Sequence, residues 1–74
     1  MPHITIKHFP VEISKEIKSD ISKKIIETIS HRLNCSEDVI SISMIEVDQN
    51  EWNEKVYIPE IIGMSSFLIK KPNY

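Results

Sequence analysis

One long amphipathic helix between two short alternating segments constrains the fold of this chain more than any other feature. In the first ten residues, apolar Pro2, Ile4 and Ile6 alternate with polar residues, and Pro10 ends the pattern. This period of two is typical of a half-buried strand. Residues 39–47 alternate in the same way and are rich in β-branched side chains, so they predict a second strand.

The helix is predicted to begin at about Lys15, because the hydroxyl of Ser14 can cap it. Apolar residues recur at every fourth position on one side, and most lysines fall on the other; the apolar positions are Ile17, Ile21, Ile25, Ile29 and Leu33. This spacing predicts an amphipathic helix of about twenty residues whose apolar side is a core face rather than a binding groove.

A strand, a helix and a second strand form a βαβ unit with parallel strands and a right-handed crossover. In the second strand, Ile40, Ile42 and Met44 are expected to face the helix. The opposite face would then be largely polar, since it carries His3, Thr5, Lys7, Ser41 and Ser43 together with Ile45.

The segment from Trp52 to Ile69 is too apolar for a solvated tail. We predict a short helix around Trp52 to Ile62 that is broken near Pro59, followed by a second short piece after Gly63. Residues 70–74 are expected to be extended or to form a turn.

Seventy-four residues make one domain, 1–74, and a chain this short buries only about 60% of its unfolded surface. Cys35 is the only cysteine, so no internal disulfide is available, and no metal-ligand spacing is present. We therefore expect a homodimer in which the first strands pair antiparallel across a twofold axis. The fold class is α+β, a two-layer βαβ unit whose strand pair becomes a four-stranded sheet on dimerisation.

The charge and composition exclude several function classes. The net charge of −2 and a pI near 5.9 argue against a nucleic-acid partner. No apolar run approaches the roughly 18 residues of a membrane span, and no secretory signal is evident. The single glycine excludes glycine-rich phosphate loops. The expectation is a soluble cytoplasmic protein that does not bind membranes.

Pro2 follows the initiator methionine and is the candidate catalytic residue. Removal of Met1 would leave the secondary amine of Pro2 as the only α-amino group, a rigid and titratable base. With Met1 retained, the same nitrogen is a tertiary amide and has no basicity. In the expected dimer, Pro2 would approach His8, Phe9 and Glu12 of the partner.

Several stretches together resemble the 4-oxalocrotonate tautomerase-like members of the tautomerase superfamily. They are the proline-initiated strand from Met1 to Lys7, the segment from Asp38 to Ile42, Trp52, and the tail from Ile69 to Tyr74. Within that family the chain is most similar to the short bacterial PptA-type tautomerases. Their tails usually read KKPGY, and Asn73 here replaces the glycine, a mild change because asparagine tolerates positive φ.

The resemblance implies the fold and the chemistry of a tautomerase. It assigns the role of general base and acid to Pro2 and places Trp52 beside it as an apolar wall. Two arginines that bind dicarboxylates in 4-oxalocrotonate tautomerase itself would fall, by spacing, near Glu12 and at Ser41, and neither is present here. A monocarboxylate enol with an apolar body, such as phenylenolpyruvate, is therefore the better candidate substrate.

The predicted site thus consists of catalytic Pro2 with Trp52, His8, Phe9 and Ser41 as substrate-binding residues. An α-amino group titrates near about 7.7 to 8, and burial beside Trp52, Phe9 and Ile4 would lower that pKa toward the working pH. The neutral amine could then move a proton along the keto–enol unit without a cofactor or metal.

Two other functions are compatible with the same fold. The chain could be a non-catalytic dimeric module on the same fold, or a dehalogenase or decarboxylase of the superfamily, which would need further polar groups to activate water. A dimer is favoured over a hexamer because the second sheet face is polar for an obligate interface.

Overall fold

The computed structural model describes residues 1–74. Strands β1 (His3–His8) and β2 (Ser41–Glu46) form a parallel two-stranded sheet, and helix α1 (Lys15–Arg32) connects them. The register pairs are His3–Ser41, Ile4–Ile42, Thr5–Ser43, Ile6–Met44, Lys7–Ile45 and His8–Glu46. The predicted α+β class and the βαβ unit are therefore confirmed.

The two ends of helix α1 are set by residues next to them in the sequence. Ser14 caps it, since its hydroxyl accepts the N–H of Ile17 at 3.2 Å. The helix has 18 residues and ends at Arg32, close to the predicted length. Asn34 then adopts a positive φ of 52°, a conformation that asparagine tolerates and that cannot continue a helix.

The two faces of the sheet differ as predicted. Ile42 and Met44 line a groove together with Ile21 of α1. On the opposite face the Ser43 hydroxyl donates a hydrogen bond to Thr5 Oγ1 at 3.2 Å. Because side chains alternate along a strand, this face also carries His3, Lys7 and Ser41, with Ile45 as its apolar member.

The C-terminal helix (Asn53–Ile62) passes through Pro59 without a break, so the predicted interruption there is wrong. Its turns are of the wide π type; for example, the Gly63 N–H donates to the Ile58 carbonyl, five residues earlier, at 2.9 Å. This pattern avoids the i to i−4 bonding that a proline ring obstructs. The predicted second short piece is a turn of 3₁₀ helix, Ser65–Phe67.

An ion pair joins the C-terminal helix to the polar face of the sheet. Lys7 of β1 contacts Glu60, and both side chains are only partly exposed. The helix therefore lies on the side of the sheet opposite α1. None of the helices combines the length and the apolar character needed to cross a membrane.

The single chain leaves its core incomplete. Only Val47 and Val56 are buried, each with 6% of its surface exposed. Large apolar side chains remain open to solvent, among them Phe9, Val11, Ile17, Leu33, Ile45, Ile58, Ile62 and Phe67. In a chain this short, pairing of two copies would be one way to cover such residues.

The close approach at Gly63 yields a first prediction. A Cβ at this position would lie 2.6 Å from the Pro59 carbonyl oxygen and 3.1 Å from the Ile58 carbonyl oxygen. Gly63→Ala must push backbone apart, so we expect it to lower the free energy of unfolding by about 1 to 3 kcal/mol. Urea denaturation at one fixed protein concentration measures the loss.

The matched control for Gly63→Ala is Glu54→Ala, an exposed position on the same helix. That change should stay within about 0.5 kcal/mol of the parent. Equal stability of Gly63→Ala and the parent would show that the helix end relaxes without cost.

Candidate active site

Pro2 lies at the N-terminal end of the sheet, beside Ser41. Its carbonyl oxygen accepts the N–H of Ser41 at 3.2 Å, which extends the ladder between the strands by one bond. Met1 is 99% exposed, whereas Pro2 is half-buried. The bond between Met1 and Pro2 is thus at the surface, and β2 holds the proline in place independently of Met1.

His3 connects the predicted residue Ser41 to the polar face. Its Nδ1 lies 2.6 Å from the Ser41 hydroxyl, and its Nε2 lies 3.4 Å from the Thr5 hydroxyl. Both ring nitrogens therefore have partners. Sequence reasoning placed His3 on this face but did not identify the pairing, which follows from the register of His3 opposite Ser41.

The other end of β1 carries an aromatic pocket. Phe9, Trp52 and Tyr74 line a cavity of about 620 Å³. The rings of Phe9 and Trp52 meet edge to face, with centroids 5.0 Å apart at 90°. Trp52 donates its indole N–H to the Tyr74 hydroxyl at 3.3 Å. The predicted residues Phe9 and Trp52 are thus brought together, and Tyr74 joins them from the end of the chain.

Sequence reasoning missed Tyr74 because it treated residues 70–74 as a tail that is extended or forms a turn. The tail has no regular secondary structure, and its last residue lies on the aromatic cluster. The Tyr74 ring also packs on Tyr57 of the C-terminal helix, with centroids 5.6 Å apart and a tilt of 34°. The presence of an aromatic residue at the end of a polar tail was the available signal.

His8 lies at the same end of β1 as the pocket. Its Nδ1 is 2.7 Å from the Phe9 carbonyl oxygen. A carbonyl only accepts hydrogen bonds, so Nδ1 carries the proton, and in the neutral ring Nε2 is the free acceptor. Protonation of the ring would turn Nε2 into a second donor.

Two lysines, one in β1 and one in the C-terminal helix, are paired with carboxylates. Lys7 pairs with Glu60, and Lys55 donates to Glu51 at 2.9 Å. The hydrogen bond from Lys55 to Glu51, together with the charge of that carboxylate, raises the pKa of Lys55 above its usual value. The only arginine, Arg32, lies in the last turn of α1, where its charge complements the helix C-terminus.

Within one chain, Pro2 and the aromatic pocket lie far apart. Phe9 lies seven positions after Pro2, which corresponds to about 23 Å at the usual rise of a strand. The structure therefore places Pro2 with Ser41 at one end of β1, and His8, Phe9 and Trp52 at the other. These residues therefore do not form one site within a single chain.

The fold and the position of its proline define a class of protein. A βαβ unit with Pro2 at the start of its first strand and a tryptophan after its second strand is a tautomerase-type unit. No protein-family model matches the chain. Individual proteins of known name, however, are similar to it.

Three relatives are similar over the whole chain. The proteins called tautomerase PptA from Pectobacterium carotovorum, Klebsiella pneumoniae (strain 342) and Escherichia coli O127:H6 are 35%, 36% and 36% identical to it, respectively. Each alignment covers 74 residues, which is 100% of this chain and 97% of the relative. The chain therefore belongs to the PptA-type tautomerase family.

Proposed function

We propose that this protein is a keto–enol tautomerase that uses the amine of Pro2 as general base and acid. Its substrate class is a 2-hydroxy-2-enoate monocarboxylate with an aromatic body, such as phenylenolpyruvate. The full-length similarity to proteins called tautomerases carries this proposal. The position of Pro2 and the composition of the pocket then suggest the residues and the substrate.

The site is proposed to form between two chains. When β1 pairs antiparallel with β1 of a partner, Pro2 of one chain comes to the end of the partner strand that carries His8 and Phe9. Trp52 lies against Phe9, so the aromatic pocket of one chain would adjoin the proline of the other. Each dimer would contain two identical sites.

Proton transfer follows from this arrangement. Without Met1, the nitrogen of Pro2 is a secondary amine, and the aromatic walls exclude water from it. A low-dielectric wall disfavours the ammonium form, so it lowers the pKa of the amine and keeps more of it as free base. The free base takes the proton of the enol hydroxyl, and the resulting ammonium delivers a proton to carbon 3, which yields the 2-oxo acid and restores the amine.

The pocket favours an aryl substrate over a small dicarboxylate. Its volume of about 620 Å³ suits a small organic molecule, and its three lining residues are aromatic. Ser41, at the position expected for one carboxylate-binding arginine of 4-oxalocrotonate tautomerase, has its hydroxyl already paired with His3. Glu12, near the position expected for the other, would repel a second carboxylate that came close to it.

A substrate test addresses this proposal directly. Mass spectrometry first verifies that the chain begins at Pro2, and the loss of enol absorbance then reports ketonisation of phenylenolpyruvate. We expect a rate well above the spontaneous reaction. A rate equal to the spontaneous one would favour a non-catalytic dimeric module.

The oligomeric state gives a further prediction. Sedimentation equilibrium should yield the mass of two 8.6 kDa subunits, because pairing through β1 covers the open strand edge and the apolar residues beside it. The sheet face opposite α1 is polar and carries the Lys7 to Glu60 contact, so it is poorly suited to hold three dimers together. A mass near six subunits would contradict this arrangement.

A further inference from the structure

We propose that the Tyr74 hydroxyl donates a hydrogen bond to the substrate carboxylate and so replaces the arginines that the pocket lacks. This inference rests on the proposed function for the identity of the substrate. It adds a specificity-determining residue, contributed by the last position of the chain.

The hydrogen-bond pattern of Tyr74 is the first observation. A phenol hydroxyl can accept hydrogen bonds and donate one. In the structure Tyr74 accepts the indole N–H of Trp52 at 3.3 Å, and its own O–H donates to no protein group. That bond positions the phenol oxygen at the indole edge, and the remaining proton is available to a ligand.

The composition of the pocket is the second observation. Phe9 offers no polar group, and the only N–H of the Trp52 side chain is already used. The Tyr74 hydroxyl is therefore the one free donor among the three lining side chains. Tyr74 is 65% exposed, so a ligand can reach it. An aromatic acid whose ring contacts Phe9 and Trp52 would meet this donor with its carboxylate.

Packing against neighbouring residues holds the Tyr74 hydroxyl in position. Its ring packs on Tyr57, which belongs to the C-terminal helix, and that helix is tied to β1 through Lys7 and Glu60. Because Trp52 and Tyr57 both contact Tyr74, its hydroxyl loses less conformational entropy when it binds a ligand than a free lysine would. This explains how one neutral donor can contribute to binding without an arginine.

Fluorescence of Trp52, the only tryptophan, reports binding in this pocket directly. The test compares two ligands of the same shape: phenylpyruvate, which carries the carboxylate, and phenylacetone, which carries a methyl group instead. In Tyr74→Phe we expect the dissociation constant for phenylpyruvate to rise about tenfold, and that for phenylacetone to stay unchanged. Tyr57→Phe, which keeps the supporting ring, should match the parent with both ligands.

Each alternative result is distinct. If Tyr74→Phe weakened the binding of both ligands equally, the tyrosine would only orient Trp52. If it weakened the binding of neither, its hydroxyl would not bind the acid. Either result overturns the inference. The ketonisation assay is read separately on the parent protein. An inactive parent that still shows the carboxylate-dependent loss would refute the proposed reaction while the assignment of Tyr74 stands.

Discussion

Removal of Met1 should raise the rate of phenylenolpyruvate ketonisation by about 10²- to 10⁴-fold, the usual contribution of a general base. With Met1 present, the nitrogen of Pro2 belongs to an amide and cannot accept a proton at neutral pH. The new amine of Met1 is flexible and several ångströms away, beyond the roughly 2.6 to 3.2 Å reach that a general base requires. Protein with a blocked initiator methionine, verified by mass spectrometry, provides the comparison.

The processed variant Pro2→Ala distinguishes the contribution of the amine from that of the proline ring. It keeps an α-amino group of similar pKa but loses the ring that fixes φ, so its activity should fall yet persist. The expected order is the Pro2 terminus first, the Ala terminus second and the Met1-retained chain last. Equal rates for the Met1-retained and Pro2-terminated chains would remove Pro2 from the mechanism.

The parts of the fold that depend on local chemistry were predicted from the sequence. Alternation along β1 and β2 predicted both the strands and their faces, since Ile42 and Met44 line a groove together with Ile21 of α1 as expected. Ser14 marked the start of α1 because an N-cap is decided by one hydroxyl and the next three residues. Such signals lie within a few positions of each other, so a single sequence contains them.

Contacts between distant segments were not predictable in the same way. Lys7 and Glu60 are 53 positions apart, and Trp52 and Tyr74 are 22 apart, so no periodicity links either pair. Pro59 misled the prediction because proline interrupts an α-helix, whereas the observed helix is of the wider π type. Of the predicted site, the pairs Phe9–Trp52 and Pro2–Ser41 form within one chain, and the proposal that brings them together invokes a second copy.

Trp52→Ala should lower kcat/KM for phenylenolpyruvate at pH 7 by roughly 30- to 100-fold, which corresponds to the loss of one large apolar contact. Two effects combine in this loss. The indole is the wall against which Phe9 packs edge to face at 5.0 Å, so its removal opens the pocket to water. The substrate ring then loses its contact surface, and the amine of Pro2 loses part of the environment that disfavours its charged form.

The pH profile distinguishes these two effects. A more hydrated amine has a higher pKa, so less of it is free base at neutral pH, and the acidic limb of the kcat/KM profile should move to higher pH in Trp52→Ala. Trp52→Phe keeps a smaller aromatic wall while it loses the N–H that binds Tyr74, so its acidic limb should move much less. Circular dichroism of both variants verifies that they fold. An unchanged acidic limb in folded Trp52→Ala would mean that the tryptophan binds substrate but does not set the basicity of Pro2. The proposed contact between the two chains would then not lower the pKa of the Pro2 amine.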